Sequence, residues 1–333
     1  MERSVPLASI HSYRLLIAFL LMFSSFCASS MRIDLGIAIV CMVNSTAFLQ
    51  NDTATTANSW KKVSKDRLSC SNISAGELLI NEGYEGSILW TPKQQSIIFS
   101  ASHYGGLLSA IPAGILADYF NPKFNLLIGI ADMAFFTSII PVLANWSFYS
   151  IFLTRMVIGL GEAFILPSMA SISTKWFPAT ERSTAAAIYT SGNQIALSLV
   201  YWIGAELCSV KFLGGWPLLF YLLGLISFSW MIVWIPFASS SPSENRWISN
   251  VEQTYLERCL NNSPQKLRNR SIPWKSMIRS MPVIANVVVM FTINFHATIM
   301  QSFLPTYFRD VLFINLKKVP DSTINYAFNT LCK

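Results

Sequence analysis

Seven long apolar stretches divide the chain, and each is long enough to cross the roughly 30 Å hydrocarbon core of a bilayer as a helix. They lie at residues 13–43, 95–117, 124–144, 148–172, 183–207, 216–238 and 281–304. Of the 333 residues, 53% are hydrophobic and only 12% are charged, about half the charged fraction of a soluble domain. The sequence therefore predicts an all-α polytopic membrane protein with no nucleic-acid partner, and the lipid bilayer is its surrounding.

The loops indicate which end of each helix faces the cytosol. Glycosylation sequons begin at Asn51 and Asn72, within the polar stretch of residues 44–93 between the first two spans. We assign that stretch to a lumenal or extracellular loop, which places the amino terminus in the cytosol. Most lysines and arginines between the later spans then fall on the cytosolic side, as the positive-inside rule requires. Two independent signals give one orientation.

Composition divides the chain into a six-span bundle, a cytosolic linker, a seventh span and a divergent tail. The segments are residues 1–238, 239–280, 281–316 and 317–333. Within the linker, residues 245–260 predict an amphipathic helix at the membrane surface, with apolar side chains on one side. Six spans, a basic linker and one further span are typical of a two-bundle transporter whose second bundle is largely missing.

Charged residues inside the fourth span point to transport. Arg155 and Glu162 are seven residues apart, about 10 Å along a helix and nearly on one face. Charges at that depth are costly and usually line an ion or substrate pathway. In one interpretation the two form a pair that only neutralises a buried charge. In the other, Arg155 binds an organic anion through two parallel hydrogen bonds, and Glu162 takes up and releases a proton.

Other polar residues in the spans leave alternatives open. Arg32 either faces the cavity as a second anion-binding group or extends toward the outer membrane edge. Asp34, two residues later, points to a different face of the same helix, so the two do not form a simple ion pair, and we assign Asp34 no role. His103 and His296 are either proton-linked groups or hydrogen-bonded packing residues. Asp132 has no partner evident from the sequence.

Several functional classes are excluded. The phosphate-binding GxxxxGK[ST] pattern is absent, which argues against an ATP-driven pump. The six cysteines form neither CxxC pairs nor a dense spacing, so neither a zinc site nor a disulfide scaffold is predicted. The three histidines are far apart, against a hydrolase, and a seven-span receptor would place the sequons in the cytosol. We expect no enzyme and no cofactor beyond a coupling proton or sodium ion.

The loop after the second span, Gly114-Ile-Leu-Ala-Asp118-Tyr-Phe-Asn-Pro-Lys123, resembles the signature of the major facilitator superfamily. The resemblance implies that Gly114, Asp118 and Lys123 form a conformational motif that latches neighbouring helices. Three intervening positions depart from the usual basic and glycine residues: Tyr119, Asn121 and Pro122. These departures are expected to weaken the latch.

A narrower similarity is to the organic-anion transporter family of sialin, the vesicular glutamate transporters and the type I sodium–phosphate cotransporters. Arg32-Ile-Asp-Leu-Gly-Ile-Ala is similar to that family's Arg-x-Asn-Leu-x-x-Ala, with aspartate in place of asparagine. Tyr104-Gly105 and the run from Arg155 to Glu162 also match. The resemblance implies that Arg32, Arg155 and Tyr104 bind substrate and that Glu162 carries the coupling proton. His103 does not fall on the second-span histidine of the glutamate transporters and is a second proton-coupling candidate by its residue type alone.

The resemblance implies a secondary active carrier, a symporter or facilitator of small anions. An acidic sugar, a carboxylate or phosphate is expected as substrate, in the plasma membrane or a lysosomal or vesicular membrane. Ile293 stands at or near the seventh-span arginine of the glutamate transporters, which argues against vesicular glutamate transport. Because relatives have twelve spans and alternating access needs both bundles, the alternative is a truncated, non-transporting isoform or regulatory half-carrier.

Overall fold

The computed structural model describes residues 12–43, 86, 88–208, 215–261, 276 and 278–310. Within these ranges the chain forms eight α-helices and one 3-10 turn, and the only β pairing is an isolated bridge between Val43 and Ile88. The helices are α1 (Tyr13–Met42), α2 (Pro92–Tyr119), α3 (Pro122–Ala144), α4 (Phe148–Trp176), α5 (Arg182–Cys208), α6 (Trp216–Phe237), α7 (Asn250–Asn261) and α8 (Met281–Asp310). The predicted all-α class is confirmed.

All seven predicted spans are helices, and their ends agree with the prediction to within a few residues. In the described part of the chain, five helices are long and apolar enough to cross a membrane: α1, α3, α4, α6 and α8. The other two, α2 and α5, have 28 and 27 residues and are of similar length. Both carry more polar side chains along their length. The division into bundles and tail stays a prediction.

The amphipathic linker helix begins later than predicted. We expected it from residue 245, but α7 starts at Asn250, after a 3-10 turn at Pro242–Glu244. Asn245 explains the difference: its Oδ1 accepts the backbone N–H of Trp247 at 2.8 Å, and its Nδ2 donates to Ser239 Oγ at 3.1 Å. An asparagine side chain that bonds the backbone two residues on stabilises a turn rather than a helix.

The main contacts among the six helices before the linker form a series that runs from α2 to α5. Helix α2 packs on α4, α4 on α3, α3 on α6, α6 on α1, and α1 on α5, while α8 packs on α1. Glycines let the backbones approach closely. A methyl group on Gly159 of α4 would overlap the carbonyl oxygen of Ser102 on α2, and one on Gly192 of α5 would overlap that of Met22 on α1. Small residues at these crossings permit such contacts.

A disulfide between Cys41 and Cys208 joins the far ends of α1 and α5, with 5.8 Å between their Cα atoms. The sequence analysis did not find this bond, because a single bridge across 167 residues leaves no local spacing pattern. Disulfides persist in oxidising compartments. The bond lies at the end of α1 that precedes the sequon-bearing stretch, so its position agrees with the predicted lumenal or extracellular side.

Removing this disulfide is expected to lower the stability of the protein. Cys208→Ser should reduce the free energy of unfolding by about 2–4 kcal/mol, since the bond restricts the unfolded chain. Thermal unfolding of the purified protein in detergent measures the change. Cys259→Ser is the matched control, because Cys259 is a free thiol on α7. An equal melting temperature for the two variants would contradict the prediction.

The opposite end of α1 is held by a buried charge network. The guanidinium of Arg14 contacts Glu181, in the turn before α5, and donates from Nε to Glu252 of α7 at 2.8 Å. Glu252 also accepts the Tyr13 backbone N–H at 3.0 Å and the Ser12 hydroxyl at 2.7 Å. A carboxylate at a helix N-terminus satisfies N–H groups that the helix leaves open and interacts favourably with the helix dipole. The network therefore docks α7 against the bundle.

Candidate functional site

A polar cavity lies between α1, α2, α4 and α8. It contains about 550 Å³ of empty space, part of it open solvent. The polar side chains that line it are Arg32, Ser102, His103, Arg155, Asn294, Thr298, Gln301 and Ser302. The two arginines lie on the α1 and α4 side, and the α8 side carries only neutral groups among these residues. The cavity is thus positive on one wall and neutral but hydrogen-bonding on the other.

Helix α8 supplies the neutral wall. Asn294, Thr298 and Gln301 follow at intervals of four and three residues and so share one helix face. The hydroxyl of Tyr201 on α5 donates to the backbone carbonyl of Gln301 at 2.8 Å. Gly36 of α1 faces the same carbonyl oxygen, leaving no room for a side chain. These contacts fix the face of α8 toward the cavity. The sequence analysis missed this face, although its i, i+4, i+7 spacing of polar residues in an apolar helix was a readable signal.

Two ion pairs connect α1 to α4. Arg32 Nη1 lies 3.2 Å from Glu162 Oε1, and Arg155 Nη2 lies 2.7 Å from Asp34 Oδ1. The interpretation that pairs Arg155 with Glu162 is therefore wrong. Both residues lie on α4, but each turns to a different partner on α1. The expectation that Arg32 and Asp34 do not pair with each other is consistent with this arrangement.

The two pairs differ greatly in how much of their side chains is exposed. The side chains of Arg32 and Glu162 are 35% and 30% exposed, whereas those of Arg155 and Asp34 are 3% and 0% exposed. Arg32 lines the cavity, which agrees with the first of the two alternatives for this residue. Arg155 reaches the cavity only with one edge, because Asp34 and the Met31 carbonyl, 3.4 Å from Nη1, hold its guanidinium. Arg32 is the more accessible cation of the two.

Asp34 is held as a buried acceptor. Its Oδ1 accepts the Arg155 guanidinium and also the backbone N–H of Leu35 at 2.5 Å. Its Oδ2 has no hydrogen-bond partner among the residues that the structure describes. The sequence analysis gave this residue no role, although its departure from the asparagine of the family pattern marked it. The position of Asp34 makes it part of the site rather than of a distant helix contact.

The two candidate site residues on α2, His103 and Tyr104, differ in their position relative to the cavity. His103 lines the cavity, with its Nδ1 3.3 Å from the Phe99 carbonyl oxygen. Tyr104, the next residue, is 52% exposed and does not line this cavity, and neither does His296 of α8. Proton coupling by His103 and substrate binding by Tyr104 stay predictions.

Asp132 lies between α3 and α4, away from the cavity. A methyl group on Gly161 of α4 would overlap its carboxylate, so the aspartate fits only against a glycine. Its Oδ2 is buried and has no hydrogen-bond partner in the described ranges. The structure thus places Asp132 in a helix contact and not with the four charged groups of the site.

The loop motif after α2 is partly described. Lys123 donates from Nζ to the Ile235 carbonyl of α6 at 2.7 Å. Asn121, one of the departures from the superfamily pattern, accepts the Lys123 backbone N–H at 3.0 Å and the Ser240 hydroxyl. Gly114 has no atom within 4 Å of the place a methyl group would take. The side chain of Asp118 lies outside the described residues, as do Asn51, Asn72 and the tail from residue 311. Asn121, which replaces a residue of the superfamily pattern, thus connects the start of α3 to the segment after α6.

Comparison with known proteins places this arrangement in context. The sequence matches the Major Facilitator Superfamily over residues 15–326. It is 33% identical to an uncharacterized transporter of Caenorhabditis elegans, covering 95% of this chain and 61% of that protein. Sialin of Ovis aries is 29% identical over 95% of this chain and 60% of its own length. A putative inorganic phosphate cotransporter of Drosophila melanogaster is 29% identical over 91% and 55%.

This chain therefore spans about three fifths of the length of the curated relatives that it matches. Sialin and the phosphate cotransporters are the relatives that the motifs of α1, α2 and α4 predicted. The expected resemblance is confirmed.

Proposed function

The chain belongs to the major facilitator superfamily, and on that premise we propose that it carries small organic anions together with protons through the cavity beside Arg32. Membership of this family supports a multipass membrane transporter rather than an enzyme. Its anion-carrying relatives support the class of substrate. The coupling ion, the substrate and the particular membrane belong to the proposal.

One observation carries the proposal: Arg32, which lines the cavity and is 35% exposed, is paired with a carboxylate, Glu162, that is 30% exposed. An arginine binds a carboxylate through two parallel, charge-assisted hydrogen bonds. Glu162 contacts Arg32 through one pair of atoms, Nη1 and Oε1, so a substrate carboxylate can take its place. The pair is therefore an exchangeable one, in contrast to the buried pair of Arg155 and Asp34.

Proton coupling follows from this competition. When Glu162 takes up a proton, it loses its charge and its hold on Arg32. The guanidinium is then available for the carboxylate of a substrate. When the substrate leaves, Glu162 releases its proton and pairs with Arg32 again, so the empty cavity does not keep an unbalanced charge. Each cycle thus couples one proton to one anionic group, and movement between the two sides of the membrane requires the second bundle.

The neutral wall supports recognition of the rest of the substrate. Asn294, Thr298 and Gln301 offer amide and hydroxyl groups that both donate and accept hydrogen bonds. Such groups suit the hydroxyl or amide groups of an acidic sugar or a hydroxy acid. These residues line the same cavity as the arginines, so one substrate can contact both groups.

Uptake into liposomes tests the proposal. The full-length protein is reconstituted, and uptake of labelled glucuronate and N-acetylneuraminate is followed with the outside at acidic pH and the inside neutral. Arg32→Gln should reduce uptake about 100-fold, since it removes the charge that binds the substrate. Glu162→Gln should abolish the acceleration by the pH gradient but preserve exchange of external for internal substrate. Lys93→Gln and Glu257→Gln, at exposed positions on α2 and α7, are the matched controls.

The outcomes separate the parts of the proposal. Uptake unaffected by Arg32→Gln would contradict the assignment of the binding group. Uptake driven by a sodium gradient but indifferent to pH would contradict the coupling ion alone. A protein that takes up no anion under either gradient would favour the regulatory half-carrier.

A further inference from the structure

We propose that Asp34 restricts the cargo of this carrier to anions with a single negative charge, a proposal that rests on the function proposed above. The residue does so without touching the substrate. It balances Arg155 permanently, so that only one positive charge becomes available when the cavity is loaded. Asp34 is thus a specificity-determining residue, and the substrate class it selects is a hydroxylated monocarboxylic acid.

The charges of the wall between α1 and α4 support this inference. Four charged groups lie there among the described residues: Arg32, Asp34, Arg155 and Glu162. Their charges sum to zero when both carboxylates are ionised. After Glu162 takes up its proton, the sum is one positive charge. A monoanion restores neutrality, whereas a dianion leaves one uncompensated negative charge at a depth where water is scarce and charges are costly.

The two carboxylates have different roles because they differ in burial. Glu162 is 30% exposed and contacts the cavity-lining Arg32, so it can exchange its proton with water. Asp34 is fully buried, and its Oδ1 is held by both the Arg155 guanidinium and the Leu35 backbone N–H. A substrate cannot reach Asp34 to displace it from Arg155 without separating α1 from α4. The negative charge of Asp34 therefore stays with Arg155 through the cycle.

An asparagine at this position would change the charge and little else. Its side-chain oxygen could still accept the hydrogen bonds from Arg155 and Leu35, since the two side chains have the same shape. The wall would then carry one positive charge at rest and two after protonation of Glu162. That arrangement balances a dianion.

The opposite wall adds no charge that would compensate a second carboxylate. Along α8, the described residues that line the cavity are neutral, with Asn294, Thr298 and Gln301 providing the polar groups. On α2, Ser102 is neutral and His103 is the remaining titratable group. A substrate with a carboxylate at one end and hydroxyl groups along its body matches both walls, and a dicarboxylate of the same length does not.

A pair of acids that differ only in charge tests the inference. Gluconate and glucarate are open-chain six-carbon hydroxy acids with one and two carboxylates. Each is used as a competitor of labelled glucuronate uptake into liposomes that contain the full-length protein. In the wild type, gluconate should inhibit at a concentration at least about tenfold lower than glucarate, because an unbalanced charge is strongly disfavoured. Asp34→Asn should remove or invert this preference, and Asp34→Glu should keep it.

Two further variants control for the amount of folded protein and for the charge of His103. The ratio of the two inhibitory concentrations does not depend on how much protein is folded. If Asp34→Asn does not accumulate, the double variant Asp34→Asn/Arg155→Gln removes both charges of the buried pair and should recover the preference for gluconate. His103→Gln measures whether a protonated His103 alters the ratio, and the preference is expected to persist in this variant.

The possible results are distinct. Equal inhibition of the wild type by both acids, inhibition by neither, or an unchanged preference in Asp34→Asn would overturn the inference while leaving anion transport intact. A wild-type protein that takes up no anion would overturn the proposed function, and with it this inference. Preference for gluconate that Asp34→Asn loses and Asp34→Glu keeps is the expected result.

Discussion

Replacing Gly159 with alanine is expected to abolish most of the folded protein, whereas replacing Gly114 with alanine is expected to be harmless. The new methyl group at Gly159 would overlap the Ser102 carbonyl oxygen of α2 and lie only 3.0 Å from the backbone nitrogen of Gly106. Both neighbours are backbone atoms, so relief requires α2 and α4 to move apart. Overpacking of this kind costs about 3 kcal/mol or more when the surroundings cannot relax.

Gly114→Ala is the matched control because it adds the same atom to α2 in open space. There the better helix propensity of alanine should raise stability by up to about 1 kcal/mol. Size-exclusion profiles and thermal unfolding in detergent compare the two variants. Melting temperatures that agree within error would contradict the close packing of α2 on α4.

Replacing Arg14 with glutamine is expected to cost about 3–5 kcal/mol, because it leaves the carboxylates of Glu252 and Glu181 without their buried cation. Glu252 would keep its contacts with Ser12 and the Tyr13 N–H. Its carboxylate would lose the positive charge of the guanidinium that now donates to it from Arg14 Nε. The helix α7 should then detach from the bundle. Faster proteolysis of the segment around α7 in detergent reports this directly.

A double-mutant cycle separates the loss of the ion pair from the loss of packing. The variant Arg14→Gln/Glu252→Gln should recover part of the lost stability, since neither charge is then buried alone. Glu257→Gln changes an exposed carboxylate on the same helix and is expected to shift stability by less than about 0.5 kcal/mol. If Arg14→Gln behaves like Glu257→Gln, the network contributes nothing and its proposed role in docking α7 is wrong.

The helices could be predicted from the sequence because each depends on the residues of its own segment. A run of about twenty apolar residues must form a helix in a bilayer, where every backbone N–H and C=O needs a partner within its own segment. The start of α7 was predicted five residues too early. Apolar spacing does not show that the Asn245 side chain binds the backbone and holds a turn.

The site could be predicted only in part. Arg32, Arg155 and Glu162 are visible in the sequence because charges are rare within apolar segments. Their pairing is not, since it depends on how α1 is rotated against α4. A rotation of α1 by about one residue, or roughly 100°, would point Asp34 away from Arg155. Arg32 and Asp34 are two residues apart on α1, and Arg155 and Glu162 are seven apart on α4. These spacings predict the two ion pairs only when the relative position of the two helices is known.

The long-range links were beyond prediction for the same reason. Arg14 and Glu252 are 238 residues apart, and Cys41 and Cys208 are 167 apart. Neither link leaves a periodic or local pattern. Both depend on the order in which the helices surround α1, and that order is set by tight glycine crossings and by side-chain packing along whole helices.

Helix α1 is fastened at three levels: to α5 by the disulfide, to α4 by two ion pairs, and to α7 and the turn before α5 through Arg14. Because these contacts hold both ends and the middle of α1, the helix cannot tilt or rotate independently of its neighbours. Under the proposed function, the guanidinium of Arg32 would therefore keep its place relative to α4, α5 and α7 when a substrate binds. Helix α8 contacts α1 where the Gln301 carbonyl faces Gly36, so under the proposed function α1 would be the fixed element against which the second bundle moves.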